Sequence, residues 1–433
     1  MTRLALVALC LVASVPSLQA RTLLFASRLI DGTGSRAHSG VTVIVDSGHI
    51  AEIVKGRLEP SADDEVIDLS GHTVLPGFID LHVHLSGQFS KRTYLERFQL
   101  EPADLAFRSV AYAERTLMAG FTTVRNPGDS YNLTVSMRNA IAAGHIVGPR
   151  ILTAAKAIAT TGGHSDPTNG IASIFEPEAG PEEGVINGPW EAARAVRQRY
   201  KDGADFIKIT ATGGVLSVAK SGQNPQFTDE EMRAIVETAE DYGMHVAAHA
   251  HGVEGMQRAI RAGVRTIEHG TLMDDETIQL MLKHGTFLVP TLMPAEWALK
   301  KAETEGFFPE VVRQKALEIG PKSKDTLRRA HAAGVRIAFG TDCGVTPHGE
   351  NAQEFALLIE AGMEPMEAII AATRTAAEVL GMEDQIGILQ SGMVADIVAV
   401  PGDPLEDITR LQAVDFVMKE GTVYRQSEPG DGR

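Results

Sequence analysis

Two histidines separated by one residue are the clearest sign of chemistry in this sequence. His82 and His84 lie in the apolar segment 77–84, and successive side chains of a strand point to opposite faces. Both imidazoles are therefore predicted on one face, where they could chelate Zn²⁺ or a similar divalent ion. Two ordinary surface histidines are the alternative, and the apolar residues around the pair argue against it.

Three more candidate ligands each follow an apolar run. His249 and His269 end predicted strands, and Asp342 directly follows one. A carboxylate beside a buried strand needs a partner, because isolated buried charge is costly, and a metal ion would supply one. Asp342 could then also accept a proton from activated water. Taken alone, either histidine could be a hydrogen-bonded core residue, and Asp342 could be a helix cap.

Lys208 interrupts the apolar run 206–209. Burial disfavours the charged form of an amine, so we expect the pKa of Lys208 to be lowered. A neutral amine can react with CO₂ to give a carbamate, which would resemble a carboxylate ligand. A buried ion pair and an edge-strand position are alternatives that the residues alone do not separate.

The elements that would position these residues alternate along the middle of the chain. Apolar runs typical of strands are separated by stretches rich in Ala, Glu and Arg, which favour helices. About eight such units predict a (β/α)₈ TIM barrel over residues 73–387, with functional groups at the C-terminal ends of the strands. An open doubly wound sheet is the alternative, but no Gly-x-Gly-x-x-Gly follows the first strand. The predicted strands cover 74–83, 122–126, 150–154, 206–210, 245–249, 265–269, 286–290 and 336–341, and predicted helices include 104–119, 191–201, 229–241 and 322–333.

The two ends of the chain differ from the middle and resemble each other. Residues 21–72 and 388–433 alternate short apolar runs with Gly-containing turns, a pattern typical of hairpins. We predict that both ends combine in one small β-sandwich domain. The segment 160–190 is rich in Gly, Pro and Glu and is predicted to form a loop over the barrel mouth.

Charge and the N-terminus limit the function classes. The chain has 433 residues and a formal net charge of −16, which disfavours binding to nucleic acids and to anionic membrane surfaces. Residues 1–20 combine a charged start, a short apolar run and a small residue at a plausible cleavage point, which is typical of a signal peptide. We therefore expect an exported protein, periplasmic or secreted. The apolar run is too short for stable membrane insertion.

The order of the candidate ligands resembles that of the amidohydrolase superfamily. The closer likeness is to its Xaa-Pro dipeptidase-like, imidazolonepropionase-related branch, through the motifs TGGH at 161–164, KIxxxGGV at 208–215 and AHAHG at 248–252. The resemblance covers nearly the whole mature chain, and it also implies the barrel with a domain from both termini. It further implies two divalent metal ions, with Zn²⁺ favoured. One ion would be held by His82, His84 and Asp342, the other by His249 and His269, and N6-carboxylated Lys208 would bridge them.

Four residues are predicted to lie near the substrate. By the resemblance, His164 contacts the scissile carbonyl or the oxyanion and takes part in catalysis; a solvated loop histidine is its alternative. His251 shares a strand face with His249 and would either bind substrate or orient that ligand. Ser217 and Arg125 lie near strand ends, where they could meet a substrate carboxylate.

These features predict a binuclear, metal-dependent amidohydrolase that acts on a small molecule, with Asp342 as its base. The resemblance implies cleavage of an amide bond and release of the C-terminal amino acid from dipeptides or N-acyl amino acids, with ochratoxin A as a candidate substrate. A cyclic-amide hydrolase or deaminase of the same superfamily is the alternative, although such enzymes usually hold one metal and lack the lysine at the position of Lys208. An inactive solute-binding barrel is disfavoured by the complete ligand set. Relatives are often oligomeric, so a homo-oligomer is expected.

Overall fold

The computed structural model describes residues 21–172, 174–175 and 178–427. The predicted signal peptide, residues 1–20, lies outside the described residues. Within the described part of the chain, no helix combines the length and the apolar composition that a membrane span requires.

The strands are numbered in chain order. They divide into strands near the two chain ends, which pair mostly antiparallel, and strands in the middle, which pair parallel. Their bounds are β1 Thr22–Leu29, β2 His38–Asp46, β3 His49–Lys55, β4 Glu65–Pro76, β5 Phe78–Asp80, β6 Phe121–Asn126, β7 Arg150–Thr153, β8 Ala159–Thr160, β9 Val185–Ile186, β10 Ile207–Thr210, β11 Val246–Ala250, β12 Thr266–His269, β13 Phe287–Val289, β14 Ile397–Pro401, β15 Phe416–Lys419 and β16 Thr422–Gln426.

The helices lie between the strands of the middle and after β13. Their bounds are α1 Thr93–Glu96, α2 Pro102–Met118, α3 Leu133–Ala142, α4 Pro189–Asp202, α5 Asp229–Asp241, α6 Val253–Ala262, α7 Asp275–His284, α8 Leu292–Ala302, α9 Glu310–Ile319, α10 Ser323–Ala332, α11 Gln353–Glu360, α12 Pro365–Ala371 and α13 Arg374–Leu380.

The strands of both chain ends belong to one seven-stranded sheet, ordered β16-β15-β14-β4-β1-β2-β3. β1 pairs with β2 antiparallel and with β4 parallel, and β14 joins antiparallel to β4. Residues from both ends, among them Leu24, Val43, Ile397 and Phe416, share one buried apolar cluster. Hydrogen bonding thus joins strands from both chain ends in one continuous sheet. That the two ends fold as a β-sandwich domain stays a prediction.

The middle of the chain alternates strands with helices, and its strands run parallel. β5, β6 and β7 form one sheet, and β10, β11, β12 and β13 form another. The architecture is therefore α/β, with the chain ends forming an additional sheet. Parallel bridges extend the pairing beyond the two sheets and join Ile158 to Ile209, Leu288 to Ile337 and Val83 to Cys343.

Most predicted elements of the middle correspond to observed ones. The helix predicted over 229–241 is α5, and the helix predicted over 104–119 is α2. The sequence predicts a full strand over 336–341, and the structure differs there. This segment forms one parallel bridge, between Leu288 and Ile337, in which the Ala338 N–H donates to the Leu288 carbonyl at 2.9 Å. The Leu81 N–H also donates to the Phe339 carbonyl at 3.0 Å.

Helix α5 shows how sequence sets an element and its inward face. Thr228 accepts a hydrogen bond from the Glu231 N–H at 3.2 Å, and Glu231 accepts one from the Thr228 N–H at 2.8 Å, so the first turn is capped in both directions. The apolar residues that follow recur at the spacing of one helical face. This face is buried and consists of Met232, Ile235, Val236 and Ala239.

Candidate metal centre and active site

The first histidine pair meets Asp342 because two segments run side by side beyond their strands. The Asp342 N–H donates to the His82 carbonyl, and the His84 N–H donates to the Cys343 carbonyl, both at 2.6 Å. The Nε2 atoms of His82 and His84 lie 3.7 and 3.3 Å from Asp342 Oδ1. The three side chains offer ligand atoms within 4.8 Å of one another and form a possible metal site.

A protein oxygen behind each ring determines which nitrogen faces Asp342. His82 Nδ1 lies 2.8 Å from Glu268 Oε2, and His84 Nδ1 lies 3.1 Å from the Gly128 carbonyl. Since carbonyl and carboxylate oxygens accept, Nδ1 carries the proton and Nε2 keeps its lone pair. Burial lowers the pKa of His82, which keeps this ring in the neutral form that binds metals.

The second histidine pair lies on the neighbouring parallel strands β11 and β12. The ring centroids of His249 and His269 are 4.7 Å apart, and the His269 centroid is 5.0 Å from that of His82. His249 Nε2 lies 3.1 Å from the Gly213 carbonyl, and His269 Nδ1 lies 2.6 Å from Thr291 Oγ1. Each ring again retains a second nitrogen for a ligand.

Lys208 lies on β10, beside β11, and is 4% exposed. Its side chain lines the same cavity as the four histidines and Asp342. Burial lowers the pKa of Lys208 to about 8, with Glu268 opposing this effect and Arg125 adding to it. Near neutral pH the amine is therefore deprotonated in a larger fraction of molecules than a surface lysine, as the sequence predicts.

The donor set fits divalent metal ions. Asp342 Oδ1 is buried and makes no hydrogen bond to any residue that the structure describes. Burial alone would raise the pKa of Asp342, but the net effect of its surroundings holds it below its ordinary value, so the group is ionised. A buried carboxylate of this kind needs a positive partner. Imidazole nitrogens together with a carboxylate oxygen are ligands of Zn²⁺ and similar ions.

His164 and His251 lie beside the second histidine pair. The His164 ring stacks on His249 with centroids 4.4 Å apart, and its Nδ1 is buried with no hydrogen-bond partner in the described part of the chain. His251 Nδ1 lies 2.9 Å from Thr271 Oγ1. Burial lowers the pKa of both His164 and His251 to about 3, so both are neutral near pH 7. Both line the cavity, where the sequence predicts substrate contacts.

Ser217 lies in the loop after β10, next to the cavity. The loop residues that line the cavity are Val215 and Leu216. The hydroxyl of Ser217 donates to the Gly214 carbonyl at 3.5 Å, within the loop itself. A part for Ser217 in substrate binding stays a prediction.

Arg125 and Glu268 form a fully buried ion pair behind the histidines. Arg125 Nη2 donates to Glu268 Oε1 at 2.6 Å, and its other donors go to the Leu81 carbonyl at 2.7 Å and to Thr266 Oγ1 at 3.2 Å. Arg125 therefore does not reach a substrate carboxylate, which corrects the expectation from the sequence. Sequence reasoning also missed Glu268, although a carboxylate directly before His269 in an apolar strand was a usable signal.

The candidate residues surround a cavity of about 490 Å³. A cavity of this size suits a small molecule or a short peptide end. Part of its lining is apolar and comes from loops and from α8 and α9, outside the parallel strands. The apolar lining residues include Phe89, Val215, Leu216, Ala298, Ala316 and Ile319.

The alternating βα fold, with histidines, a lysine and an aspartate at the strand ends, defines the class of protein. The chain belongs to the amidohydrolase family, whose pattern matches residues 73–424. It is therefore a hydrolase with a possible metal site at His82, His84 and Asp342.

Individual relatives indicate the branch of the family to which the chain is most similar. The ochratoxinase of Aspergillus niger is 32% identical over 434 residues, which cover 95% of this chain and 88% of that protein. An imidazolonepropionase of Cutibacterium acnes is 26% identical over 409 residues, covering 89% and 91%. The solved structure of a Xaa-Pro dipeptidase with methionine bound in its active site is 50% identical, with a TM-score of 0.92 over 94% of this chain and 100% of that one. These likenesses confirm the branch that the sequence motifs indicate.

Proposed function

We propose that this protein is a two-metal hydrolase that cleaves an amide bond and releases the C-terminal amino acid of a dipeptide or an N-acyl amino acid. One observation carries the proposal. Each of the four histidines has one ring nitrogen on a protein oxygen and the other left for a ligand. Lys208 and Asp342 line the same cavity and would complete a set of six ligands.

In this proposal the ligands divide between two ions, and Zn²⁺ is favoured because imidazole and carboxylate ligands suit it. Bound ions would polarise the amide carbonyl and make water a better nucleophile near neutral pH. The lowered pKa of Lys208 supports a carbamate at this position, because only the neutral amine reacts with CO₂. The first ion would be held by His82, His84 and Asp342, the second by His249 and His269, with N6-carboxylated Lys208 between them.

The chain's own groups then position the substrate and move the proton. Asp342 is ionised, so it can accept a proton from the attacking water and deliver it to the leaving amine. His164 is neutral, so a ring N–H can donate to the carbonyl oxygen as negative charge develops there. His251, held by Thr271, would contact the substrate or keep the neighbouring His249 in place.

The composition of the cavity supports a substrate with an apolar C-terminal residue. Phe89, Leu216, Ala316 and Ile319 provide apolar surface in the same cavity as the candidate ligands. The Aspergillus niger relative is an ochratoxinase, and the solved dipeptidase holds methionine in its active site. We therefore favour dipeptides and N-acyl amino acids with such a residue, including ochratoxin A, with Ser217 as a further contact.

The setting of the site is proposed along with the reaction. We propose a closed (β/α)₈ barrel over residues 73–387, supported by the parallel bridges that extend its two sheets. Residues 21–72 and 388–433 would form the accessory domain.

The composition of residues 1–20 supports export to the periplasm or the medium. For the assembly, we expect a homo-oligomer.

A cyclic-amide hydrolase or deaminase is the second candidate. The likeness to an imidazolonepropionase favours it. The buried Lys208 argues for the two-metal hydrolase, because a carbamate there would act as a ligand to both ions, which a single-metal site does not need.

The test measures metal content and hydrolysis on one preparation of the full chain. The protein is loaded with Zn²⁺ with and without bicarbonate, then assayed on N-acyl amino acids, dipeptides and heterocyclic amides. Bicarbonate-dependent loading of about two ions per chain, with release of a free apolar amino acid, is the expected result. One ion per chain with turnover of a heterocycle would favour the second candidate. Full loading without cleavage of any acyl amino acid would overturn the proposal.

A further inference from the structure

Lys315 is a buried lysine outside the candidate metal centre. It lies on α9 and is 5% exposed. Its ammonium donates to three backbone carbonyls, those of Gly214 and Ser217 at 2.7 Å and that of Ala219 at 2.9 Å. All three belong to one loop, residues 213–222, which we call the clamped loop.

This arrangement accounts for the whole hydrogen-bonding capacity of the side chain. A lysine ammonium has three hydrogens and no acceptor, and three carbonyls receive them. Hydrogen bonds in which one partner is charged are about twice as strong as neutral ones. Burial lowers the pKa of Lys315 to about 8, which leaves the ammonium as the main form near pH 7. Without it, the Ser217 and Ala219 carbonyls would lose the ammonium as their donor, and the Gly214 carbonyl would keep only the Ser217 hydroxyl at 3.5 Å.

The clamped loop touches the candidate active site at several points. The Gly213 carbonyl faces His249 Nε2 at 3.1 Å. Gly214 lies against the His164 ring so closely that a Cβ there would be 2.1 Å from His164 Cε1. Val215 and Leu216 line the cavity. The position of this backbone therefore sets both a wall of the cavity and the space available to His164.

We infer that Lys315 is a positioning residue whose ammonium holds the clamped loop in place as a wall of the substrate cavity. The expected effect on substrate binding rests on the proposed function. The hold of Lys315 on the loop does not depend on that function. Lys315 does not bond Gly213, whose carbonyl faces His249 and whose own N–H donates to the Asn224 carbonyl at 3.1 Å. Since the residues that Lys315 holds lie beside the apolar wall, its loss should weaken substrate binding more than it slows the chemical step.

The first test compares Lys315→Met with the wild type and with Lys300→Met, an exposed lysine on α8. We expect KM of the preferred acyl amino acid to rise about tenfold in Lys315→Met, the scale of losing one hydrogen bond to a charged group. The value of kcat should change less than about threefold, because the reacting groups stay in place; a tenfold loss of kcat would correspond to about 1.4 kcal/mol less stabilisation of the transition state. Metal content should equal that of the wild type. An unchanged KM, or a loss confined to kcat, would overturn the inference.

A second test separates the effect of the positive charge from that of side-chain volume. Lys315→Ala removes the atoms that n-propylammonium contains, so this ion should enter the space and lower KM again. 1-Propanol has the same carbon chain but one donor and no charge, and we expect little rescue from it. Equal rescue by both compounds would show that volume, not the ammonium, positions the loop.

A third test needs no substrate. Lys220 is exposed within the clamped loop and is a site for trypsin. We expect cleavage after Lys220, followed by fragment mass, to be faster in Lys315→Met and Lys315→Ala than in the wild type and in Lys300→Met, and propylammonium should slow it in Lys315→Ala. Equal cleavage rates in all four proteins would overturn the clamp. If the wild type hydrolyses no acyl amino acid, the proposed function fails, and this rate still decides the clamp.

Discussion

At the residue scale, each of the four candidate histidine ligands has a protein oxygen at its second ring nitrogen. Glu268 supplies one of these oxygens and is itself held by further contacts. Its Oε1 accepts from Arg125 and from the Thr266 hydroxyl, and its Oε2 faces His82 Nδ1 at 2.8 Å. Both oxygens are thus occupied by donors. An amide at this position has one acceptor and one donor, so at least one of the surrounding donors would face an N–H group.

Glu268→Gln should therefore loosen the metal site without removing a ligand. We expect the affinity for Zn²⁺ to fall about 10–100-fold, the usual effect of changing a group that orients a ligating histidine. Competition with a chromophoric chelator measures it. Glu276→Gln, an exposed change on α7, is the matched control. A Zn²⁺ affinity equal to the control would mean that Glu268 does not set the state of His82.

Asp342→Asn tests the proposed base. The amide keeps the shape of the side chain but cannot accept a proton as a carboxylate does, so we expect kcat to fall by at least about 10²-fold. The assay is run at a metal load verified on the same sample, with Asp384→Asn, an exposed change, as the control. A kcat near that of the wild type at full load would contradict the assignment.

The sequence predicts the candidate ligands but not the groups behind them. His82 and His84 can be recognised because the two-residue period of a strand puts them on one face. Arg125 and Glu268 are separated by 143 positions and come from β6 and β12, which are not neighbours in either sheet. Such a pairing depends on tertiary packing that local periodicity does not encode, and this is why the sequence suggested a substrate contact for Arg125.

At the scale of elements, the start of α8 depends on another helix. Thr291 precedes α8 with a positive φ of 47° and makes no capping bond with its side chain. Glu354 on α11 takes this place, because its two oxygens accept from the Leu292 and Met293 N–H groups at 2.7 and 2.8 Å. Since α8 carries Ala298 and other residues that line the cavity, this contact links α11 to a wall of the cavity.

Glu354 also gives the fold a dependence on pH. Burial raises the pKa of Glu354 to about 8, against the opposing effect of the two N–H donors. The folded pKa lies above the ordinary value of 4.5, so the folded protein holds a proton that the unfolded chain has released. The contribution of this group to stability is therefore full below about pH 4.5 and is lost as pH rises towards about 8.

Glu354→Gln should remove this slope. We expect the free energy of unfolding of the wild type to fall relative to the variant between about pH 5 and about pH 8, by at most about 1.4 kcal/mol per pH unit. Denaturant titrations at several pH values measure it, with the exposed Glu305→Gln as the control. Parallel pH profiles for the wild type and Glu354→Gln would show that the carboxyl titrates normally in the fold.

Elements with a strong period or cap are predicted well, and the walls of the cavity are not. The capping box at Thr228 and Glu231 and the regular apolar face made α5 recognisable over its whole length. Helices α8 and α9 follow β13 and form the wall that includes Ala298 and Ala316. The contribution of α8 and α9 to the cavity wall depends on how loops place them over the strand ends. Sequence periodicity does not predict that placement.

At the scale of the whole molecule, polar contacts join the terminal sheet to the βα part. Arg150 at the start of β7 donates to Asp396 Oδ2 at 2.6 Å and to Glu420 Oε1 at 2.7 Å. Lys419 on β15 donates to the Gly148 carbonyl at 2.8 Å. Because the chain enters and leaves the βα part through this sheet, we expect the two parts to unfold as one unit.

Asp396→Ala tests that coupling. Asp396 is 4% exposed and also accepts from the Glu420 N–H at 2.8 Å, so its removal leaves that N–H without this acceptor and leaves Arg150 with only the exposed Glu420 as its partner. Loss of one partner of a buried pair costs about 3 kcal/mol, whereas Glu420→Ala removes an exposed partner of the same arginine and should cost less than about 1 kcal/mol. Calorimetry should show one transition in both variants, at a clearly lower Tm in Asp396→Ala, with metal content and kcat unchanged because both residues lie outside the cavity lining. Two resolved transitions, or equal Tm values for the two variants, would mean that the terminal sheet and the βα part are stabilised independently.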